Sequence, residues 1–411
     1  MGIVAIRRVL NAKPNASVIV VVPSAPVAKQ WKVDLAKCTT AFENVKVITL
    51  SIASRDYKKL DCNLLVIDEI HAVPTAKNKN ALFIPHNFVL GLTATYERLD
   101  GGHKLIDRIA PVVERIPLSE GVRNKWTSKH NVYCILCEVD DLNKYNEYTK
   151  VFKGTFRFFD FDFNIPMRIL TDKDFRSEYV KQMCDDEAEQ QGVRKYDKIA
   201  MSALWRECFG TVMNMAKTFI NSMTERKNFI YHHPKKLEIA EKIIHAKEGK
   251  KGMTFWCTIE DAERVSEGKV YASIGTNKKD ADEAEKRTKA KNDAILKEFM
   301  ASKGGVINTV RALNVGFDVP EIEYGIIAGF NSSKTNSKQQ RGRIIRINDL
   351  TKNKEAEIFY IVIRDTNDEV WFSNCIGNTE YVTILEEDLD DFLAGKEIDF
   401  MNNRKIKGSR Y

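Results

Sequence analysis

Apolar residues along this chain fall into two rhythms. At the start, Ile3, Ile6 and Leu10 recur at helical spacing with Arg7 and Arg8 between them, and Asn11-Ala-Lys-Pro14-Asn15 closes the segment. Val18-Ile-Val-Val-Val22 is then an unbroken β-branched run stopped by Pro23 and Ser24, which predicts a strand buried on both faces. Val27, Trp31 and Leu35 stand four apart, so a helix is expected next. Short strands are predicted at Val45–Leu50, Leu64–Ile67 and Phe88–Leu92. Short apolar strands separated by helical or loop connections predict the α/β class with a parallel sheet.

The rhythm breaks between about Asp140 and Lys227. Val runs become rare there, an acidic cluster Asp185-Asp-Glu187 appears, and Ala203, Leu204, Phe209, Val212 and Ala216 predict long amphipathic helices. The α/β rhythm then resumes. Strands are expected at Met253–Cys257, Val270–Ser273, Val306–Thr309, Tyr324–Ala328 and Ile358–Ile363, with helices at Ile259–Val265 and Asp280–Ser302. The predicted organisation is a first α/β block over 1–125, a linker and helical insert over 126–228, a second α/β block over 229–375, and an acidic segment with a basic tail over 376–411.

Composition changes this picture only at the margins. A chain of 411 residues allows two or three domains, and 43% hydrophobic content with 21 Gly and 10 Pro excludes disordered and collagen-like classes. No apolar run approaches the roughly 20 residues of a membrane helix. Arg7 and Arg8 interrupt the apolar start, so no leader is read and a soluble cytoplasmic protein is expected. The net charge of +7 points weakly to nucleic acid. Of eight scattered cysteines only Cys134 and Cys137 have metal-like spacing, and without a second pair they read as two faces of a strand. His232-His233 lacks a partner set in the same way and reads as a loop.

The sharpest chemical signal is Leu64-Leu-Val-Ile-Asp68-Glu69-Ile70-His71. Four apolar residues deliver two carboxylates to the C-terminal end of a buried strand, the edge at which open α/β sheets bind ligands. An acidic pair there suits a magnesium phosphate, one carboxylate holding the ion's shell and the next orienting a water. The bland alternative is a strand that ends in an acidic turn. Gly91-Leu-Thr93-Ala-Thr95 places hydroxyls at the same edge after the next strand. In the second block, Gln339-Gln-Arg-Gly-Arg343-Ile-Ile-Arg346 sets two guanidiniums three apart, on one face if the segment is helical. Paired guanidiniums suit the charge that develops on a transferring phosphoryl group; the alternative is a solvated basic face.

Asp68-Glu-Ile-His71, Thr93-Ala-Thr95 and Gln339–Arg346, in that order across two α/β blocks, resemble motifs II, III and VI of superfamily 2 helicases. Val22-Pro-Ser24 through Gln30-Trp31 resembles motif Ia, Gly252–Thr258 motif IV, and Val306–Thr309 through Gly316-Phe-Asp318-Val-Pro320 motif V. Gly91–Asp100 is similar to the longer motif III of repair and branch-migration helicases, with Tyr96 where a proline is usual. Within the superfamily the DExH-type bacteriophage and repair helicases are most alike, and the likeness extends to most of the chain outside the insert.

The resemblance implies two RecA-like lobes, ATP and Mg²⁺ as cofactors, and DNA, single-stranded or branched, as partner, with RNA as the alternative strand. It implies a bacterial host cytoplasm if the chain is phage-encoded. By it Asp68 would bind Mg²⁺, Glu69 would position the attacking water, and His71 would link the ATP site to motif VI. Thr93 and Thr95 would couple hydrolysis to lobe motion. Gln339 would contact the γ-phosphate region, Arg343 and Arg346 would be arginine fingers, and Gly316 and Asp318 would lie near the ribose. Pro23, Ser24, Thr258, Ser273 and Thr309 would touch the strand backbone.

One expected part is missing from the sequence. None of the 21 glycines is followed by Lys and then Ser or Thr, so the phosphate-cradling loop of these enzymes is not present. In relatives that loop directly precedes the helix leading to the motif Ia strand, which here is the first element, so it would lie upstream of Met1. Three readings stay open: a fragment, a chain completed by another polypeptide, or a protein that binds nucleic acid without turning over ATP. A restriction-system motor subunit ranks lower, because no nuclease or methylase signature is present.

Overall fold

The computed structural model describes residues 1–38, 43–96, 98, 100–194, 196–272, 281–310, 319, 321–348 and 350–398, with the backbone alone for 281–289. The chain divides into two compact units, one of Met1–Leu136, Leu237–Val362 and Asn367–Tyr411, the other of Cys137–Lys236 and Ile363–Thr366.

The first part of the larger unit runs α1 (Gly2–Ala12), β1 (Val18–Val22), α2 (Ala25–Ala36), β2 (Val45–Thr49), α3 (Leu50–Asp56), β3 (Cys62–Asp68), β4 (His86–Leu92), α4 (His103–Ile109) and α5 (Leu118–Arg123). Its four strands lie in the order β2-β1-β3-β4, all parallel. All of β1 is buried because both faces of the sheet are covered. Ile19, Val21, Leu65 and Ile67 enter a core with Leu50, Ala53 and Leu82. The alternate residues Val18, Val20, Val22, Leu64 and Val66 enter another with Ile6, Leu10 and Leu35. The expected strand at Val45–Leu50 stops at Thr49, and Leu50 opens α3.

The smaller unit is helical: α6 (Asn143–Phe158), α7 (Asn164–Thr171), α8 (Lys173–Gln191) and α9 (Lys198–Tyr231). Leu204, Cys208, Val212, Ala216, Phe219, Ser222, Arg226 and Ile230 of α9 are buried at steps of three and four, so one stripe of this helix is the spine against which α6, α7 and α8 pack. Asp172 and Asp197 cap α8 and α9 by accepting from backbone N–H groups.

The larger unit continues through β5 (Lys129–Cys137), α10 (Pro234–Ala246), β6 (Lys251–Trp256), α11 (Ile259–Glu263), β7 (Lys269–Ala272), α12 (Ala281–Ala301), β8 (Gly305–Val310), β9 (Tyr324–Ile327), α13 (Lys334–Ile344), β10 (Glu355–Ile363), α14 (Asn367–Ile376), β11 (Val382–Leu385) and α15 (Leu389–Leu393). Its sheet has the order β11-β5-β10-β9-β6-β8-β7. The expected class holds: α/β, two parallel sheets of four and seven strands, and a helical segment between.

Two expected boundaries need correction. β5 falls inside the predicted insert of 126–228, yet it pairs with β11 from Tyr133↔Val382 to Leu136↔Leu385, so the sheet claims it. β11 likewise falls in what reads as an acidic tail. Cys134 and Cys137 are both buried in β5. His232 and His233 are the two residues between α9 and α10. Among the described residues no group of His, Cys, Asp and Glu is placed to hold a metal by itself, and no helix is long and apolar enough to cross a membrane.

Candidate nucleotide site

The C-terminal edge of the four-stranded sheet gathers the acidic and hydroxyl residues. Asp68 is the last residue of β3 and stands opposite Leu92 of β4, while Pro23 and Ser24 follow β1 at the same edge. Strand alternation puts Asp68 on the face of Leu64 and Val66, the side covered by α1 and α2. There its Oδ2 accepts from the Trp31 indole Nε1–H at 2.8 Å and its Oδ1 accepts from the Glu69 backbone N–H at 3.1 Å. Burial pushes the Asp68 carboxyl above its ordinary range, the Trp31 bond works against that, and the neighbouring Glu69 charge adds to it.

Glu69 leaves the strand in the left-handed conformation, φ 51° and ψ 50°, a strained position for a side chain larger than glycine. The turn is anchored by Ile70. A Cβ on Gly91 would lie 2.6 Å from Ile70 Cδ1, so the bare glycine of β4 makes room for that anchor. His71 Nδ1 sits 2.8 Å from Thr93 Oγ1 and 3.2 Å from Glu69 Oε2. Thr93 Oγ1 also lies 3.4 Å from Glu69 Oε2 and 2.9 Å from the Thr95 carbonyl, and it accepts from the Thr95 N–H at 3.1 Å. A hydroxyl has a single proton. When His71 Nδ1 carries hydrogen, Thr93 accepts from it and donates to either Glu69 or Thr95. Thr95 is buried, and its own hydroxyl makes no hydrogen bond among the described residues.

Arg98 secures the outside of this cluster. Its Nη1 donates to the His71 carbonyl at 2.6 Å while the rest of the guanidinium forms a two-pronged pair with Asp100. Tyr96 turns its ring toward α4, where its hydroxyl donates to Asp107. The periodicity that marks Trp31 as a core residue of α2 gave no sign of its bond to Asp68. Arg98 carried no separate signal either, because its partner is a backbone carbonyl 27 positions away.

In the seven-stranded sheet, α13 presents the basic segment. Ser333 caps it by accepting from the Asn336 N–H at 3.3 Å, and Ile344 beds on β9 where a Cβ on Gly325 would come within 2.1 Å of Ile344 Cδ1. Ser337 and Tyr360 share a hydrogen bond of 2.6 Å, and Gln340 donates to the Gly329 carbonyl at 3.2 Å. Gln339 is half-buried, Arg343 is buried on the helix, and Arg346 is exposed. The helix ends at Ile344, so Arg346 lies beyond it and the expected shared helical face with Arg343 does not form.

The strand-contact candidates divide. Pro23 is exposed, and the Ser24 hydroxyl at the start of α2 is buried without a hydrogen-bond partner among the described residues. Thr258 caps α11, donating to Asp261 Oδ2 at 2.6 Å, and Thr309 is buried with its hydroxyl donated to the Thr254 carbonyl at 2.6 Å. The first hydroxyl is engaged in capping a helix and the second in joining β8 to β6. Ser273, Gly316 and Asp318 lie outside the described residues.

A two-carboxylate edge fits one kind of metal. Mg²⁺ is usually held by one or two carboxylates together with phosphate oxygens and waters, so Asp68 and Glu69 suit an ion that arrives on a phosphate.

Residues 235–348 match the family described as helicase conserved C-terminal domain. The chain is also similar to the DNA 3'-5' translocase XPB2 of Sulfurisphaera tokodaii, at 26% identity over 373 residues, covering 86% of this chain and 74% of that one. Among solved structures, S. cerevisiae Dbp5 bound to RNA and ADP BeF3 aligns with a TM-score of 0.49 at 12% identity, over 93% of this chain and 81% of that one. The Pyrococcus furiosus Hef helicase domain aligns with a TM-score of 0.43 at 15% identity, over 87% and 88%.

Proposed function

We propose that this chain is an ATP-dependent motor of superfamily 2, a DExH-type DNA helicase or translocase of the phage-replication or repair kind. The observation that carries the reading is the set Asp68, Glu69, His71, Thr93 and Thr95, joined by hydrogen bonds at the C-terminal edge of a parallel sheet. The helicase C-terminal match over 235–348 supports it from the other sheet. When bound, Mg²⁺ would neutralise phosphate charge. Asp68 would hold it, Glu69 would orient the attacking water, and Arg343 with Arg346 would stabilise the transferring phosphoryl group. The Thr93 hydroxyl would pass the change at Glu69 and His71 to Thr95. Pro23 and Ser24 would meet the nucleic-acid backbone, which such contacts bind without reading sequence.

The test is ATP hydrolysis with and without single-stranded DNA in the wild type and in Asp68→Ala. DNA-stimulated turnover lost in Asp68→Ala supports the motor. A second reading, a nucleic-acid-binding module that does not turn over ATP or that takes its phosphate loop from another polypeptide, is favoured by the lack of a Gly-Lys-Ser/Thr sequence among the 411 residues. DNA binding without any ATP turnover would select it.

A further inference from the structure

Trp31 stands on α2 four residues after Val27 and four before Leu35, and its ring packs on the core of α1 and β3. A buried tryptophan usually finds a partner for its single N–H donor, as Trp256 does on the Thr254 hydroxyl at 2.8 Å. This one gives it to Asp68 Oδ2 at 2.8 Å. The second carboxylate oxygen is held independently by the Glu69 N–H at 3.1 Å. A carboxylate offers about four lone-pair sites, so two fixed donors, one on each oxygen, set its plane and leave acceptor capacity on both.

The indole is itself held. A Cβ on Gly2 would lie 2.4 Å from Trp31 Cη2 and 3.1 Å from Leu92 Cδ1, so the ring lies flush against the first turn of α1 beside the end of β4. Side chains of glycine size at position 2 are the only ones that leave the ring where it is. Three elements therefore converge on the rotamer of a single carboxylate: α1 through Gly2, α2 through Trp31, and the left-handed turn through the Glu69 N–H.

We infer that Trp31 is a positioning residue for Asp68, fixing the carboxylate so that its remaining lone pairs receive the divalent cation of a nucleoside triphosphate. The inference rests on the nucleotide-site reading above. Groups that orient a metal ligand typically change metal affinity by about 10–100-fold when removed. Trp31→Phe deletes the donor together with the outer ring of the indole, whose Cη2 and Cζ3 lie against Gly2. Gly2→Ala keeps the donor and pushes the ring.

The experiment titrates Mn²⁺ with the non-hydrolysable analogue AMP-PNP by electron paramagnetic resonance in wild type, Trp31→Phe and Gly2→Ala, with circular dichroism confirming the fold of each. In parallel, 5-fluorotryptophan-labelled protein gives a ¹⁹F resonance for Trp31, assigned by its loss in Trp31→Phe. Expected are Mn²⁺ affinity about tenfold weaker in Trp31→Phe, a smaller loss in Gly2→Ala, and a displaced Trp31 resonance in Asp68→Ala. Wild-type affinity in both ring variants, or a Trp31 resonance that ignores Asp68→Ala, overturns the inference and leaves the nucleotide reading standing. A wild type that takes up no Mn²⁺ with AMP-PNP, while its Trp31 resonance still responds to Asp68→Ala, overturns the nucleotide reading and with it the role of the bond.

Discussion

Thr93 Oγ1 lies within hydrogen-bond reach of His71, Glu69 and the backbone of Thr95, and this hydroxyl is the point where the turn after β3 meets the end of β4. Thr93→Val keeps the shape and deletes the hydroxyl. It is expected to cost about 1–2 kcal/mol in a urea titration, because the His71 and Thr95 groups lose a partner in a partly buried place. Asp68 faces opposing demands. Burial and the Glu69 charge disfavour its ionised form, while the Trp31 and Glu69 N–H groups favour it. Asp68→Asn removes the buried charge but turns an amide NH2 toward one of those two donors, so the urea midpoint is expected to shift less than in Thr93→Val. His130 gives a pH signature away from the site. Burial is the main cause that holds its imidazole below the ordinary range, with the Arg341 charge adding and a bond to the Ser128 carbonyl opposing. The unfolded chain then binds the proton more readily than the folded one. Stability from this residue is fully present above the unfolded value near 6.5 and falls as pH drops from there through the folded value. His130→Gln should flatten that part of the stability-versus-pH curve in thermal melts.

At the level of elements, glycines set how closely neighbouring side chains pack on the seven-stranded sheet. A Cβ on Gly325 would collide with Ile344 at 2.1 Å, and one on Gly252 would collide with Tyr324 Cζ at 2.1 Å. Gly325→Val is expected to destabilise by about 1–3 kcal/mol and to lift the end of α13 that carries Arg343, a shift that amide chemical shifts over 334–344 would report. Element positions were readable because strand runs such as Val18–Val22 and Leu64–Ile67 are buried on both faces and need no partner to be recognised. The acidic pair was readable for the same reason, since strand alternation and length place Asp68 at the edge. What the sequence hid lies in long-range pairing. β5 reads as a strand, but nothing local says that its neighbours are β10 and β11, more than two hundred residues later. Arginines at 343 and 346 share a face only on a continuous helix, and nothing local marks that the helix closes at Ile344.

On the scale of the whole chain, the helical unit owns a separate core. Phe152, Phe159, Val180, Val212 and Phe219 cluster there, with Phe219 ringed by Phe152, Phe156, Phe159 and Phe163. Phe219→Ala is expected to cost about 3–5 kcal/mol, with hydrogen exchange accelerating over 137–236 far more than over the two sheets. Placing that unit inside the sequence of a sheet has a consequence for how the protein is made. β5 ends at Cys137, whereas β10 begins at Glu355 and β11 at Val382. At ribosomal speeds of about 5–20 residues per second, β5 leaves the tunnel about 10–40 s before the first strand that can pair with it exists. For that interval an apolar strand has no sheet. The nascent chain's need for a chaperone should therefore peak while the helical unit and β6 to β9 are being translated, and end once β10 emerges.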